Sequence, residues 1–235
     1  MKRKIYVPLL TAILVMSGIT LSAQDSPFKF GIKGGLNLSY LSIDREGIPK
    51  HNVKPGPNIG VAVTYPLSEL LSIQSGLSVA SKGTKIEGKA PMGFEDGLLY
   101  ATTDAGLTSQ QWYLQVPVLL EYGIRVSTET KILVNAGPYF AWGFAGKTKL
   151  TGDIIYGDMI EFSTLDYDTF GDRGLERYDA GIAAGIGIDL GEVIIGLNYE
   201  LGLRDIGPKV ESFAPFYYSS SYKNRNVFLS FEHRF

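Results

Sequence analysis

The chain has 235 residues, no cysteine and a formal net charge of −2, from 22 basic and 24 acidic residues. The lack of cysteine excludes a disulfide framework and thiolate metal sites. Abundant glycine (28 residues), tyrosine (14) and phenylalanine (12) favour an all-β protein with close-packed positions and aromatic girdles.

The N-terminal segment has the features of a targeting signal. Lys2, Arg3 and Lys4 precede a mostly apolar stretch that is short for a transmembrane anchor, and Leu21-Ser22-Ala23 offers a small-residue cleavage site. Residues 1–23 are therefore predicted to be a signal peptide, and residues 24–235 a single domain. The mature chain would carry 19 basic and 24 acidic residues, a net charge of −5, which argues against a nucleic-acid partner.

Eight segments of the mature chain alternate between apolar and polar residues. A period of two is typical of a strand with two unlike faces. Most of the segments reach the roughly 9–11 residues that a tilted strand needs to cross a bilayer. In chain order they are Phe28 to Tyr40, Asn58 to Tyr65, Leu71 to Lys82, Gln111 to Tyr122, Lys131 to Phe144, Tyr178 to Leu190, Val193 to Arg204 and Val227 to Phe235.

The last segment shows the pattern most clearly. Leu229 and Phe231 fall on one face, and Glu232 and Arg234 on the other. An apolar row opposite a charged row indicates lipid outside and a polar lumen inside. Many of the apolar rows also begin or end on an aromatic residue, as expected for belts at the membrane interfaces. The sequence predicts an all-β, eight-stranded, antiparallel, up-and-down transmembrane β-barrel, although a soluble β-sandwich would also alternate.

The connections between the segments alternate in length. Short connections cover residues 66–70, 123–130 and 191–192, and long ones cover residues 41–57, 83–109, 145–177 and 205–224. Membrane barrels have short periplasmic turns and long external loops. Both termini are therefore expected on the periplasmic side of a bacterial outer membrane.

Several of these strands resemble those of a known family. Residues 30–39 (FGIKGGLNLS) are similar to the first strand of PorT-like outer-membrane β-barrel proteins of Bacteroidetes-type bacteria, and residues 113–120 (YLQVPVLL) to the fourth. Residues 135–139 (NAGPY), 178–187 and 199–203 (YELGL) resemble the fifth, sixth and seventh. The resemblance implies the barrel fold and the outer membrane. It also implies a possible role in protein export, because PorT is associated with type IX secretion.

Ten charged residues are predicted to face the lumen. An eight-stranded barrel is only wide enough for side chains to fill it, and buried charges need partners. The equal numbers of the two signs therefore predict a salt-bridged plug, with a narrow gated pore or proton path as the alternative. The basic residues are Lys29, Lys33, Lys82, Arg204 and Arg234, and the acidic ones are Glu121, Asp179, Asp189, Glu200 and Glu232.

The sequence offers little for catalysis or metal binding. Its two histidines, His51 and His233, fall in a long loop and in the apolar register of the last strand. They form no Ser-His-Asp pattern, so no enzyme is expected, and a lipid-modifying enzyme is the least favoured alternative. The run Asp166, Asp168 and Asp172 lacks the full spacing of a Ca²⁺ loop. No metal or other cofactor is expected.

The last long connection is rich in aromatic residues. Such a cluster favours a contact surface, or a segment that folds over the barrel mouth or meets the lipid headgroups. The expected function is that of a non-enzymatic outer-membrane protein that binds a partner through its loops or anchors the membrane, with a small-solute pore as the alternative. Outer-membrane lipids and a protein bound by the loops are the expected partners. The aromatic residues are Phe213, Phe216, Tyr217, Tyr218 and Tyr222.

Overall fold

The computed structural model describes residues 27–43, 51–92, 101–156, 159–171, 174–207 and 221–235. The predicted signal peptide, residues 1–23, lies outside these residues. Within them, no helix is long and apolar enough to cross a membrane. The strands are β1 (Lys29–Ile43), β2 (His51–Pro66), β3 (Leu71–Met92), β4 (Ala101–Arg125), β5 (Lys131–Tyr156), β6 (Met159–Asp168), β7 (Tyr178–Asp189), β8 (Val193–Gly202) and β9 (Tyr222–Arg234).

Eight of these strands close into a ring. Each pairs antiparallel with its neighbours in the order β1-β2-β3-β4-β5-β7-β8-β9, and β9 returns to pair with β1. The predicted eight-stranded antiparallel barrel is thus confirmed. Strand β6 stands outside the ring and pairs with the distal half of β5.

The two faces of the barrel wall differ as the alternation requires. On β4, Leu114 and Leu120 are exposed on the outer face, whereas Gln115 and Glu121 are buried in the lumen. A broad exposed apolar surface would be a liability in water. Around a barrel, it matches the apolar band that contacts lipid.

Four strands build most of a sheet beyond one end of the barrel, and residues 51–53 of β2 pair with residues 84–86 of its β3 edge. The upper parts of β3 and β4 pair from Gly83 and Gln110 to Met92 and Ala101, while β5 continues to Tyr156 and pairs with β6. We call residues 83–92, 101–111, 146–156 and 159–168 the external sheet. Residues 83–109 and 145–177 had been predicted as loops, and that prediction is largely wrong. These strands lack the continuous apolar row of a lipid-facing strand.

The junction between barrel and external sheet is irregular. The register of β4 with β5 shifts at Trp112 and Tyr113, which leaves Phe144 as an extra residue in a bulge. On β3, Gly83 adopts a φ of 156° with its Cα against the carbonyl of Ser109. A side chain there would be strained and would collide with that carbonyl. Strands β3, β4 and β5 nevertheless each continue through this junction.

Candidate functional site

The upper half of the lumen is organised around Lys82. Its side chain is 0% exposed, and its Nζ lies 2.8 Å from Glu200 Oε2 and 3.9 Å from Asp179 Oδ2. The ammonium also lies 4.5 Å from the ring centroid of Tyr139 and 5.7 Å from that of Tyr113. Two carboxylates and two aromatic faces thus compensate one buried cation.

Neutral side chains hold the two carboxylates in place. Gln115 Nε2 donates to Glu200 Oε1 at 2.6 Å, and Asn226 Nδ2 donates to Glu200 Oε2 at 3.0 Å. Asn224 Nδ2 donates to Asp179 Oδ2 at 2.9 Å. Hydrogen bonds to ionised groups are the strong ones, so these amides fix the geometry of what we call the upper cluster: Lys82, Asp179, Glu200 and their partners.

The lower half of the lumen is organised around Arg234. Its guanidinium contacts three carboxylates: Glu232 Oε1 at 3.0 Å from Nε, Asp189 Oδ2 at 3.1 Å from Nη1, and Glu121 Oε1 at 3.4 Å from Nη2. Lys33 Nζ lies 3.7 Å from the other oxygen of Glu232. These five residues form the lower cluster, in which the forked geometry of arginine serves three acceptors at once.

Small cavities flank the lower cluster. One of about 50 Å³ lies at mid-lumen, where Lys33 and Gln74 face Gln115, Asn198 and Glu200. By volume it has room for roughly three water molecules. A second, of about 60 Å³, lies at the mouth beside the short turns, with Glu121, Asp189 and Arg234 in its lining. Each cluster therefore has a cavity beside it that can hold water. The ion pairs of the lower cluster lie between the two cavities.

The segment that follows β6 in the chain caps the lumen. Phe170 is buried and packs edge-on against Tyr113, with ring centroids 5.5 Å apart. Its ring lies over Gly143, where a Cβ would overlap it. The neighbouring Thr169 hydroxyl donates to the carbonyl of Gln110 at 3.0 Å. The upper end of the barrel is closed by an aromatic side chain that rests on a glycine.

Eight of the ten predicted lumen residues lie in the two clusters. Lys29 is exposed at the mouth of the barrel and forms no ion pair with the described residues. Arg204 is not in the lumen, and that prediction is wrong. The backbone N–H groups of Leu203 and Arg204 both donate to the carbonyl of Ala180, which ends β8 at Gly202. Arg204 is instead partly exposed, 2.8 Å from Glu176 and over the ring of Tyr178.

The predicted balance of charge is consequently wrong as well. The two clusters combine three basic residues with five acidic ones. The clusters also contain neutral side chains that were not predicted as site residues. Tyr113, Gln115 and Tyr139 lie at inward positions of predicted segments, whereas Asn224 and Asn226 precede the predicted last segment. Phe170 lies in no predicted segment.

Other predicted residues fall away from the clusters. Phe213, Phe216, Tyr217 and Tyr218 lie outside the described residues, as does Asp172. Tyr222 belongs to β9, where it pairs with Ile43 of β1, and is not part of a loop. His233 lies on the outer face, with its ring centroid 5.3 Å from that of Phe235. Among the residues that the structure describes, no three His, Cys, Asp or Glu side chains group as a metal site would require.

Comparison with known protein families gives one matching family model. The family model described as "Outer membrane protein beta-barrel domain" matches residues 22–207. No curated protein matches the chain.

Among solved structures, the chain is similar to Ail, the attachment invasion locus protein of Yersinia pestis, with a TM-score of 0.36 and 15% identity over 88% of this chain and 98% of that one. It is similar to Neisserial surface protein A, with a TM-score of 0.36 and 12% identity over 89% and 98%. For OprG from Pseudomonas aeruginosa the TM-score is 0.40, with 15% identity over 88% and 95%. Similarities at this level carry no argument about function.

Proposed function

The chain belongs to the family of outer membrane protein beta-barrel domains, and from this premise we propose that it is a non-enzymatic surface protein with a closed lumen that acts through its external sheet and loops. The family places the protein in the bacterial outer membrane. The proposal concerns what the barrel does there.

The observation that carries the proposal is the closure of the lumen. Arg234 with its three carboxylates, Lys82 between Asp179 and Glu200, and the Phe170 ring occupy three successive levels of the barrel. A barrel filled in this way offers a solute no wide path. The parts left to meet a partner are those outside the bilayer.

The external sheet has a form suited to such contact. Among the described strands, β6 pairs only with β5, so its other edge presents backbone N–H and C=O groups. An open edge can accept an added strand from another protein. This favours a protein partner that binds by strand addition over purely mechanical anchoring of the membrane.

The proposed orientation places the external sheet outside the cell and both chain ends in the periplasm. The short turns, the start of β1 and the end of β9 all lie at the end of the barrel opposite the sheet. Because the chain has no cysteine, single cysteines can test this. A maleimide too large to enter the periplasm should label Lys149→Cys on intact cells, and Ser127→Cys only after lysis. The reverse pattern would contradict the orientation.

Conductance tests the closed lumen. The refolded protein in a planar bilayer is expected to give no steady ion steps. Steps that change with Lys33→Ala or Glu200→Ala would overturn the proposal and favour the second candidate, a small-solute pore. One observation favours that candidate: five carboxylates against three cations, beside two cavities, would suit the passage of small cations.

Cross-linking tests the external sheet. Replacing residues 151–164 with an Asn-Gly turn would shorten the β5–β6 hairpin and leave the ring intact. Surface cross-linking on intact cells should give an adduct with the full-length protein and none with the shortened variant. Equal adducts from both would contradict a role for the hairpin. Heat-modifiable gel mobility of both proteins provides the folding control.

Protein export is one form that this role could take, and it rests on the resemblance to PorT-like proteins alone. Deleting the gene should then reduce the set of proteins secreted into the medium, and the shortened variant should fail to restore them. An unchanged secretome would remove export from the proposal and leave the surface role untouched.

A further inference from the structure

A second candidate site lies at the barrel wall next to the Phe170 cap, and its lining contains none of the charged residues of the two lumen clusters. It is a cleft of about 500 Å³ at the point where β4 and β5 leave the barrel for the external sheet. The bulged residue Phe144 is part of its lining. Its main lining side chains are Trp112, Phe144, Lys147, Asp168, Phe170 and Arg177.

The aromatic residues place the cleft at the edge of the lipid. Trp112 and Phe144 continue the outward apolar rows of β4 and β5, next to Trp142, which pairs with Tyr178. Phe144 and Trp142 are about half exposed. Rings of this kind mark the level of the lipid headgroups in membrane proteins. The cleft therefore opens where apolar chains give way to headgroups.

Arg177 is fixed at the wall of this cleft. Its carbonyl accepts a hydrogen bond from the N–H of Gly143 at 2.6 Å, and its Nη1 donates to the carbonyl of Gly143 at 2.9 Å. Its guanidinium also lies 5.6 Å from the ring centroid of Phe170. Among the described residues, one of its five N–H donors is thus engaged, and the residue is exposed.

Lys147 supplies a second cation, which forms no ion pair with the described residues. Past the bulge, Thr148 points inward and bonds to Ser109 and Thr169, so that Lys147 points outward and is exposed. Asp168 is its register partner on β6, but the two side chains do not form an ion pair in the described structure. With two cations and one carboxylate, the cleft is suited to an anion.

We propose that this cleft binds the phosphorylated sugar headgroup of an outer-leaflet glycolipid. Arg177 would hold the phosphate through its free N–H donors, and Lys147 would add a point charge. Trp112 and Phe144 would contact the sugar and the start of the acyl chains. The volume lies in the range of sites for molecules larger than a bare phosphate. The identity of the leaflet rests on the orientation proposed above.

Binding can be measured directly on the full barrel. The refolded protein would be placed in phosphatidylcholine nanodiscs that contain a small fraction of bisphosphorylated lipid A, and native mass spectrometry would count the retained lipid. Lys147→Glu should reduce retention about tenfold, which corresponds to about 1.4 kcal/mol. Lys149→Glu is the matched control, because Lys149 lies two residues along the same strand face and outside the cleft lining. It should stay within about twofold of the unsubstituted protein.

Two further comparisons test the chemistry. Dephosphorylated lipid A should be retained poorly by the unsubstituted protein, and Arg177→Gln should lose the phosphorylated lipid as Lys147→Glu does. Equal retention of the two lipids, or equal losses in Lys147→Glu and Lys149→Glu, would overturn the proposal. Nanodiscs present the lipid in both leaflets, so a negative result would not reflect a wrong orientation. The cross-linking of a surface partner, which tests the proposed function, is a separate experiment, so one proposal can fail without the other.

Discussion

The upper and lower clusters of the lumen differ in how they satisfy their carboxylates. In the upper cluster, Lys82 is fully buried, and amides and tyrosine rings supply the remaining contacts. In the lower cluster, Arg234 alone contacts three carboxylates, next to a cavity at the barrel mouth. Where the cation is fully buried, neutral donors and aromatic rings surround the charges. Near the mouth, one guanidinium and nearby water suffice.

Removing the cation of the upper cluster should have the largest effect. Lys82→Met leaves Asp179 and Glu200 buried without a positive charge, which should lower the free energy of unfolding by about 3–5 kcal/mol. Urea unfolding in lipid vesicles can be followed by the fluorescence of Trp112 and Trp142, the chain's two tryptophans.

The double variant Lys82→Met, Glu200→Gln provides the control for that experiment. It removes one of the two stranded charges and should recover part of the loss. If the single variant lost less than about 1 kcal/mol, the upper cluster would resemble a surface ion pair, and the contrast between the clusters would not hold.

Changing the shape of the cation in the lower cluster should have a smaller effect. Arg234→Lys keeps the charge, but a single ammonium cannot reach Glu121, Asp189 and Glu232 together. We expect a loss of about 1–3 kcal/mol in the same unfolding measurement. A loss as large as that of Lys82→Met would show that water does not relieve the lower cluster.

The smallest effect is expected for the pair of Lys33 and Glu232. Lys33 is 21% exposed and its Nζ lies 3.7 Å from the carboxylate oxygen. A double-mutant cycle with Lys33→Met and Glu232→Gln should give a coupling of about 0.2–1 kcal/mol. The coupling should shrink in 1 M salt, where the Debye length is about 3 Å. A coupling that salt does not change would mean that this pair is as well shielded from solvent as the upper cluster.

The residues of the ring were predictable because their environment repeats along the chain. Gln115 and Glu121 face inward at alternate positions of β4, and the same rule located Asp179 and Glu232. The alternation rule failed in the external sheet, because its strands have no apolar row of the kind that faces lipid. Residues 147–150 (KTKL) form a strand in the external sheet, but their pattern lacks an apolar face.

The positions of Arg204 and Phe170 depend on contacts with residues that are distant in sequence. Arg204 leaves the inward row because two backbone N–H groups bond to the carbonyl of Ala180, a residue of the preceding strand. Phe170 reaches the lumen because Gly143, on another strand, leaves space for its ring. Neither contact has a local pattern, so alternation alone could not reveal it.

Strand β5 runs without interruption from Lys131 to Tyr156 and belongs to both the barrel and the external sheet. Its 26 residues span about 85 Å at the usual rise of a strand. Tyr139, whose ring covers Lys82, lies on the same strand as the tip of the hairpin. A force applied to the tip of the hairpin would thus be carried by covalent bonds into the barrel wall, and the strand would act as a tether between a bound partner and the barrel.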